Sequence, residues 1–332
     1  PPPEFFEMPA VAVDLSDRSV KYAEFISTRR GLRIGRYGKK ELEAGIIEAG
    51  EIKKRGELAA FLAALFKPLG IRRIVASLPE ERAYVAAMQL PRLDDPMALR
   101  NAIELELAEH IPLPAADAIF DYEVIPTQDI VPPDKITTDS SLHLDIVVYA
   151  FPKALAEEYL GAFLDAGLDP RVFEMETHSL ARALLPASGG STAPVMIVDF
   201  GKTRTTFVIA VGNLVRYTST VSAAGESLER SLVKSAGVKP AEAEALKKEK
   251  GLIKNKENED VFNALVPTVS VVADEIERHI LFWNTHAEHV HQSIPKISKV
   301  ILCGGDSNLI GFREYVAQKL RLPVVYGNIW EN

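Results

Sequence analysis

Two stretches of the chain, 185 residues apart, share one pattern of apolar and polar positions. Each begins with an apolar run that reaches an aspartate, Asp14 or Asp199, continues through a short polar turn and returns as a second apolar run. Short apolar runs bounded by turn residues predict β-strands, so each stretch predicts a hairpin. The offset is the size of a domain, which indicates two similar domains rather than short solenoid repeats.

Around these hairpins, runs with helical spacing alternate with strand-like runs. Helices are predicted at 57–66, 94–110 (with an acidic cap and Pro96 in the first turn), 152–166, 177–185, 225–236, 241–250, 269–285 and 311–320. Strands are predicted at 32–39, 71–78, 81–90, 118–125, 142–151, 171–176, 213–219, 299–302 and 324–325. Loops are predicted at 126–141 and 252–260, and a linker at 186–193. The alternation predicts a mixed α/β protein.

Composition narrows the function classes. The chain has 332 residues, 47% of them hydrophobic and 25% charged, which is typical of a globular protein. A net charge of −8 argues against non-specific nucleic-acid binding, and a single cysteine excludes an internal disulfide. No apolar run has the ~20 residues needed to span a bilayer, and no basic patch or membrane-binding amphipathic helix is evident. We therefore expect no nucleic-acid partner and no direct membrane insertion.

The two hairpins carry residue types suited to a phosphate ligand. A tight tip directs backbone N–H groups outward and forms an anion-binding concavity. Hydroxyls of Ser16, Ser19, Thr203 and Thr205 and the ammonium of Lys21 are further candidate donors, and both aspartates are candidate Mg²⁺ ligands. The alternative is a pair of ordinary hairpins with polar turns.

A third element, VILCGGDSNL at 300–309, strengthens the ligand hypothesis. Glycines at 304 and 305 allow close approach of a ligand to the backbone, and a helix N-terminus following them would favour phosphate or ribose oxygens. A tight strand-to-helix turn is the alternative for this element alone. His286, His289 and His291 lie close in sequence, but we expect a solvated polar stretch there rather than a zinc site.

In this order the three elements resemble the superfamily of actin, hexokinase and the heat-shock chaperones. VAVDLSDRSVKYAEF is similar to its phosphate-1 hairpin, IVDFGKTRTTFVI to its phosphate-2 hairpin, and ILCGGDSNLIGFREYVAQKL followed by LPVVYGN to its adenosine motif and trailing strand. The segment ASLPEERAYVAAMQLPRLDDPMALRNAIELELAEHIPLP resembles the subdomain inserted in the type IV pilus assembly PilM family and in the related cell-division protein FtsA.

The resemblance implies an α/β, actin-like (ribonuclease H-like) two-domain fold. The first domain would cover 10–185 with an inserted subdomain at about 79–150, and the second would cover 194–332. It also implies a cytoplasmic scaffold of a type IV pilus or related type II-like secretion assembly. Such a scaffold would bind ATP or ADP with Mg²⁺ between its domains. It would also hold the N-terminal cytoplasmic peptide of a PilN-like inner-membrane protein, work with other pilus assembly proteins, and sit at the inner membrane through that partner.

The resemblance also implies roles for particular residues. Phosphate contacts would come from Asp14, Ser16, Arg18, Ser19 and Lys21 on one side and from Asp199, Gly201, Lys202, Thr203 and Thr205 on the other. The nucleoside would meet Gly225, Glu244, Lys247, Gly304, Gly305 and Asn308. Asp14 and Asp199 would hold Mg²⁺, and Glu176 would be the carboxylate that orients water.

One hairpin departs from the family pattern. Relatives have Asp-x-Gly where this chain has Asp14-Leu15-Ser16, and Asp17 adds a negative charge at the tip, offset by Arg18. This predicts ATP binding with weak or no hydrolysis. The alternatives are an FtsA-like cytoskeletal protein or a small-molecule kinase of the same superfamily. For the kinase alternative, the sequence offers no clear candidate for a general base on the substrate side.

Overall fold

The structure is a computed structural model that describes residues 10–29, 31–93, 95–125, 143–186, 193–286 and 295–330. The predicted loop at 126–141, most of the predicted linker at 186–193, and His289 and His291 lie outside the described residues. Among the described residues, no helix is both long and apolar enough to cross a membrane.

The observed elements follow the predicted alternation. The strands are β1 (Val11–Ser16), β2 (Ser19–Thr28), β3 (Gly31–Glu41), β4 (Ile47–Glu48), β5 (Glu51–Ile52), β6 (Arg73–Leu78), β7 (Tyr84–Pro91), β8 (Ala118–Val124), β9 (His143–Pro152), β10 (Asp169–Met175), β11 (Val195–Phe200), β12 (Thr205–Val211), β13 (Leu214–Val221), β14 (Lys299–Cys303) and β15 (Val324–Tyr326). The α-helices are α1 (Arg55–Phe66), α2 (Pro96–His110), α3 (Lys153–Asp165), α4 (Glu176–Leu184), α5 (Gly225–Ser235), α6 (Pro240–Lys250), α7 (Glu259–His286) and α8 (Phe312–Leu320).

Two five-stranded sheets have the same topology. Their strand orders are β10-β6-β1-β2-β3 and β13-β12-β11-β14-β15. In each sheet the first strand of the hairpin forms an antiparallel pair on one side and a parallel pair on the other. The sequence echo at 185 residues is therefore a repeat of a whole sheet, as predicted. A three-stranded sheet, β7-β9-β8, and a two-stranded pair, β4-β5, complete the strands.

The chain divides into two compact units. The described residues of the first fall within 10–84, 111–120 and 150–179, and those of the second within 85–110, 121–149 and 180–330. In the first unit, apolar residues of α1 and α3 bury the inward side chains of β1 and β6, as at Leu62, Phe66, Phe163, Val13 and Ile74. These two units are compact groups of residues, and their limits do not test the domain limits expected from the sequence. Those domain limits therefore stay predictions.

The second unit has a separate core. Residues of α5, α7 and α8, including Leu232, Val269 and Phe312, pack with Val198 and Phe200 of β11. The Phe200 and Phe312 ring centroids lie 4.8 Å apart. Burial of this apolar surface holds the central strand and its aspartate against the helices.

Helix α7 corrects one expectation. A charged loop at 252–260 and a helix from 269 are predicted, but the helix begins at Glu259 and contains Pro267. Proline disfavours a helix interior because it lacks an N–H group and its ring clashes with the preceding turn. Val261, Ala264 and Leu265 are nevertheless buried at helical spacing ahead of the proline, so packing of this face outweighs the cost.

The predicted acidic cap of α2 is confirmed. Asp95 Oδ1 accepts a hydrogen bond from the Met97 N–H at 3.1 Å, and its carbonyl accepts one from Leu99. An oxygen in this position satisfies N–H groups that the first helical turn leaves without an intrahelical partner.

Candidate functional site

The aspartate of the first hairpin lies in a local polar cluster. Asp14 pairs with Lys21 across the strands, and Lys21 Nζ lies 2.6 Å from Asp14 Oδ2. Ser77 Oγ, on the neighbouring strand β6, lies 3.2 Å from Asp14 Oδ1 and donates to it. Both carboxylate oxygens of Asp14 therefore have partners within the first unit. So does the ammonium of Lys21, which the sequence interpretation assigns to a phosphate.

The tip of this hairpin is closed. Ser16 pairs with Ser19, so the turn consists of only Asp17 and Arg18. Ser16 Oγ donates to the Ser19 carbonyl at 3.1 Å and lies 3.2 Å from Ser19 Oγ. The Arg18 carbonyl accepts a hydrogen bond from Leu42. These bonds join the predicted phosphate donors of the tip to each other and to the rest of the unit.

Asp17 has a structural role that the sequence interpretation missed. Its side chain is buried, and its two carboxylate oxygens accept hydrogen bonds from the backbone N–H groups of Ala49 at 3.1 Å and Gly50 at 3.2 Å. The sequence interpretation places the negative charge of Asp17 at the tip, and in the structure these two N–H groups hold the carboxylate inward. Buried Tyr159 donates to the Gly50 carbonyl at 3.0 Å and fixes the same loop.

The second hairpin has a longer turn. Asp199 pairs with Thr206 and Phe200 with Thr205, so four residues, 201–204, form the turn. The Gly201 N–H donates to the Arg204 carbonyl at 3.0 Å. In both hairpins the aspartate and its cross-strand partner are seven positions apart, 14 to 21 and 199 to 206, while the second has two more residues in its turn.

This turn is joined to the start of α5. The Gly225 N–H donates to the Gly201 carbonyl at 3.1 Å, and the Glu226 N–H donates to the Lys202 carbonyl at 2.8 Å. Thr205 is buried and its hydroxyl donates to the Ala223 carbonyl at 2.6 Å. The first N–H groups of α5 therefore fix the hairpin in place.

The two glycines after β14 differ sharply. Gly304 has a φ of +84°, and a Cβ there would overlap Asp199 Oδ1 and lie 2.6 Å from the Phe200 carbonyl oxygen. Around Gly305 a Cβ would meet nothing within 4 Å. Glycine is thus required at position 304 for Asp199 to pack against the end of β14. The space around Gly305, by contrast, is open.

A network of ion pairs lies beside this turn. Lys202 Nζ is 2.9 Å from a carboxylate oxygen of Glu229 on α5 and 2.9 Å from one of Glu244 on α6. Lys247, one helical turn after Glu244, lies 2.8 Å from Glu229 and also pairs with Asp306. The structure therefore brings together three predicted site residues, Lys202, Glu244 and Lys247, and adds two further carboxylates.

The Asp306 side chain fills the space beside Gly225 at the start of α5. A Cβ on Gly225 would overlap the Asp306 carboxylate, so this side chain lies directly against the glycine. Burial raises the pKa of Asp306, and the hydrogen bond from Lys247 opposes the rise without cancelling it. The result is an internal carboxylate at a position where the sequence interpretation places the ligand.

The outer members of the network remain charged at neutral pH. Hydrogen bonds from Lys248 and Lys202 lower the pKa of Glu244 to about 2. Burial alone would lower the pKa of Lys202, but hydrogen bonds to Glu229 and Glu244 outweigh it and raise that pKa. Opposite charges in contact favour both charged forms.

The remaining predicted residues lie in separate places. Asn308 Nδ2 donates to the Gly305 carbonyl at 3.3 Å within a short 3₁₀ turn, Asp306–Asn308. This turn, and not the predicted helix, follows the two glycines, since α8 begins only at Phe312. Glu176 is the first residue of α4 in the first unit, beside Thr177, whose hydroxyl donates to buried Glu80 at 2.7 Å.

Two members of the network were not predicted. Asp306 directly follows the glycine pair, and Glu229 lies one helical turn after Gly225. Both spacings are visible in the sequence, but which carboxylate reaches which lysine depends on how α5, α6 and β14 pack.

The residues around the second hairpin fit a metal-bound nucleotide in part. Among the described residues, no group of three or more His, Cys, Asp or Glu side chains could hold a metal ion. Mg²⁺ needs only one or two carboxylates when phosphate oxygens and water supply the rest, so a single carboxylate such as Asp199 fits it. The space beside Gly225 can hold a ligand only when the Asp306 carboxylate moves away.

Comparison with known proteins identifies this fold. The family model described as type IV pilus assembly protein PilM matches residues 12–332. A solved PilM-PilN type IV pilus biogenesis complex has a TM-score of 0.76 at 18% identity, covering 98% of this chain and 89% of that chain. The ethanolamine utilization protein EutJ from Carboxydothermus hydrogenoformans has a TM-score of 0.56 at 15% identity, covering 98% and 85%. MreB5 of Spiroplasma citri bound to ADP has a TM-score of 0.58 at 11% identity, covering 97% and 92%. The fold is actin-like, as the sequence predicts.

Proposed function

The chain belongs to the type IV pilus assembly protein PilM family, and from this premise we propose that it is a nucleotide-binding scaffold of the pilus machine. In this proposal it holds the N-terminal cytoplasmic peptide of a PilN-like inner-membrane protein. Its likeness to a chain of a solved PilM-PilN type IV pilus biogenesis complex supports such a partner. The chain is then cytoplasmic and peripheral at the inner membrane through that partner.

The observation that carries the nucleotide proposal is the arrangement around the second hairpin. Around the start of one helix lie a four-residue turn, an aspartate packed on Gly304, and a lysine and a glutamate one turn apart on α6. We assign Asp199 to Mg²⁺, Lys202 and Thr203 to the phosphates, and Glu244 and Lys247 to the nucleoside. In this proposal the nucleotide with Mg²⁺ is an anionic ligand of the second hairpin that can exchange with nucleotide in solution.

The first hairpin contributes less in this proposal. Its two-residue turn is closed, and Asp14 and Lys21 already neutralise each other. A phosphate must therefore break an existing ion pair to reach Lys21. That Asp14 and Asp199 serve one nucleotide stays a prediction, as does the role of Glu176 in orienting water.

Binding rather than turnover fits the way in which these donors are held. Electrostatic stabilisation of a transferring phosphoryl group needs donors aimed at it beforehand. Lys21 of the first hairpin and Lys202 of the second are both engaged with carboxylates, so we propose weak or no ATPase activity. Nucleotide then acts by changing the affinity for the partner peptide, a coupling that is reciprocal and typically ~1–3 kcal/mol.

The test is a pair of calorimetric titrations on the whole protein. Mg-ATP is titrated with and without a synthetic N-terminal PilN-like peptide, and the peptide is titrated with and without Mg-ATP. We expect each ligand to strengthen the other by the same factor, and Asp199→Ala to weaken both. Peptide binding that is unaffected when nucleotide binding is lost would contradict the coupling. Rapid phosphorylation of a small substrate would favour the kinase alternative instead.

A further inference from the structure

Five charged side chains of the second unit form a row of ion pairs in which the sign of the charge alternates. In order, the row consists of Glu244, Lys202, Glu229, Lys247 and Asp306. Glu229 is shared, since its carboxylate lies 2.9 Å from Lys202 Nζ and 2.8 Å from Lys247 Nζ. We call this set of five the ion-pair row. It joins the residue that the proposed function assigns to phosphate, Lys202, to the carboxylate that lies on Gly225.

Solvent reaches one end of the ion-pair row much more than the other. The side chains of Glu244 and Lys202 are 47% and 34% exposed. That of Glu229 is 18% exposed, and those of Lys247 and Asp306 are only 3% and 11% exposed. A dissolved anion can therefore reach the ammonium of Lys202 while the pair at the inner end is still intact.

The inner end of the row fills space that a nucleoside needs. The Asp306 carboxylate lies where a Cβ on Gly225 would be, at the first residue of α5. Burial raises the pKa of Asp306, and the hydrogen bond from Lys247 is the largest interaction that opposes the rise. Lys247 therefore holds the charged carboxylate in this position. A Cβ on the preceding residue, Gly305, would meet nothing within 4 Å, which leaves room in the turn for the carboxylate to move.

The backbone between the two ends of the row is fixed. The Gly225 N–H donates to the Gly201 carbonyl, and the Glu226 N–H donates to the Lys202 carbonyl. These bonds join the turn of the second hairpin to α5. A ligand at Lys202 can therefore act on Asp306 through a change of side-chain partners, without movement of the hairpin against the helix.

We propose that phosphate binding at Lys202 opens the nucleoside space through a change of partners along the ion-pair row. This inference rests on the proposed function. A phosphate that engages Lys202 draws it away from Glu229, which then keeps Lys247 as its cation. Lys247 leaves Asp306, and a buried carboxylate that loses its cation is strongly destabilised in place. The negative charge of the phosphate repels it as well, so it moves off Gly225.

This mechanism makes the site selective for nucleotides over nucleosides. While the Asp306 carboxylate lies on Gly225, the site cannot accept a nucleoside, and the apparent affinity is reduced by the fraction of molecules that are closed. Phosphate raises the open fraction, so the two parts of one ligand assist each other. A row of ion pairs with a purely structural role would stabilise the fold and would leave adenosine binding independent of phosphate.

The experiment measures the binding of labelled adenosine to the full chain by equilibrium dialysis, with and without pyrophosphate and Mg²⁺. Pyrophosphate provides the phosphate contact and adenosine the nucleoside, so each part can be added alone. We expect pyrophosphate to strengthen adenosine binding about tenfold, within the usual range for coupled sites. Adenosine binding that pyrophosphate leaves unchanged or weakens, in a protein that binds Mg-ADP, would overturn this proposal alone. Failure to bind Mg-ADP would contradict the proposed function as well.

Two variants should lose the coupling in opposite ways. Asp306→Asn removes the charge that Lys247 holds, so adenosine should bind about tenfold more tightly by itself and gain less than about twofold from pyrophosphate. Glu229→Gln removes the carboxylate that draws Lys247 away, so adenosine binding should stay weak under both conditions.

The matched control is Glu249→Gln, an exposed change on the same helix α6, which should keep the tenfold coupling. Coupling that persists in Glu229→Gln, or an Asp306→Asn protein that still needs pyrophosphate, would overturn the proposal. Circular dichroism checks the fold of each variant. The coupling in the unaltered chain tests the proposal independently of whether either variant folds.

Discussion

The two hairpins share an aspartate and a seven-residue spacing, yet their tips are built differently. Three residues after the aspartate, the first has Asp17, held by two backbone N–H groups of its own unit, and the second has Lys202, held by two helix carboxylates. Pairing continues to Ser16–Ser19 in the first and stops at Phe200–Thr205 in the second. The shared aspartate motif therefore carries a two-residue turn with an acidic tip residue in the first hairpin and a four-residue turn with a basic one in the second.

The largest expected effect concerns the support of the second aspartate. Gly304→Ala should reduce the free energy of unfolding of the second unit by about 2–4 kcal/mol, since alanine at φ +84° is strained and its methyl overlaps the Asp199 carboxylate. Urea unfolding measures this. Gly305→Ala is the matched control and should change stability by less than about 0.5 kcal/mol. Equal losses would show that Asp199 does not rest on Gly304.

The next prediction compares the two tip residues. Asp17→Asn should destabilise the first unit by about 1–3 kcal/mol, because the backbone N–H groups of Ala49 and buried Gly50 lose a charged acceptor. Lys202→Gln removes a partly exposed cation and should cost at most about 1 kcal/mol. Urea midpoints of both variants give the ranking, and the reverse ranking would contradict the contrast between the tips.

The internal carboxylate gives a prediction of opposite sign. Asp306→Asn should tighten nucleotide binding about fivefold, because the group lying on Gly225 loses its charge and its hold on Lys247. Fluorescence titration with an adenine nucleotide analogue measures the change. Glu249→Gln, an exposed change on the same helix α6, is the control. Weaker binding in Asp306→Asn would mean that this carboxylate helps to hold the ligand.

The smallest effect is a pH dependence in the outer network. Glu244 has a pKa lowered from 4.5 to about 2, so it contributes stability above pH 4.5 that is lost as the pH falls towards 2. Because the side chain is 47% exposed, solvent screening limits this contribution to about 1 kcal/mol. Glu244→Gln should flatten the pH dependence of unfolding in that range. An unchanged profile would show that the ion pairs with Lys202 and Lys248 are worth nothing in solution.

The sequence predicted the parts of this fold that depend on local patterns. The echo between Asp14 and Asp199 indicated two matching hairpins, and Asp95 before Pro96 indicated the start of α2. It did not predict α7 ahead of Pro267, because burial of Val261 and Leu265 against other helices decides that segment. The partners of Asp17 and Asp306 were missed for the same reason, since these partners lie far away in sequence.

The most direct test is nucleotide affinity in two matched variants, Asp14→Ala and Asp199→Ala, measured by calorimetry with Mg-ATP on protein whose fold is confirmed by circular dichroism. We predict that Asp199→Ala weakens binding about tenfold or more, since the second hairpin loses its proposed metal ligand, while Asp14→Ala changes it less than about threefold. Equal losses, or a larger loss in Asp14→Ala, would contradict the claim that the second hairpin holds the nucleotide.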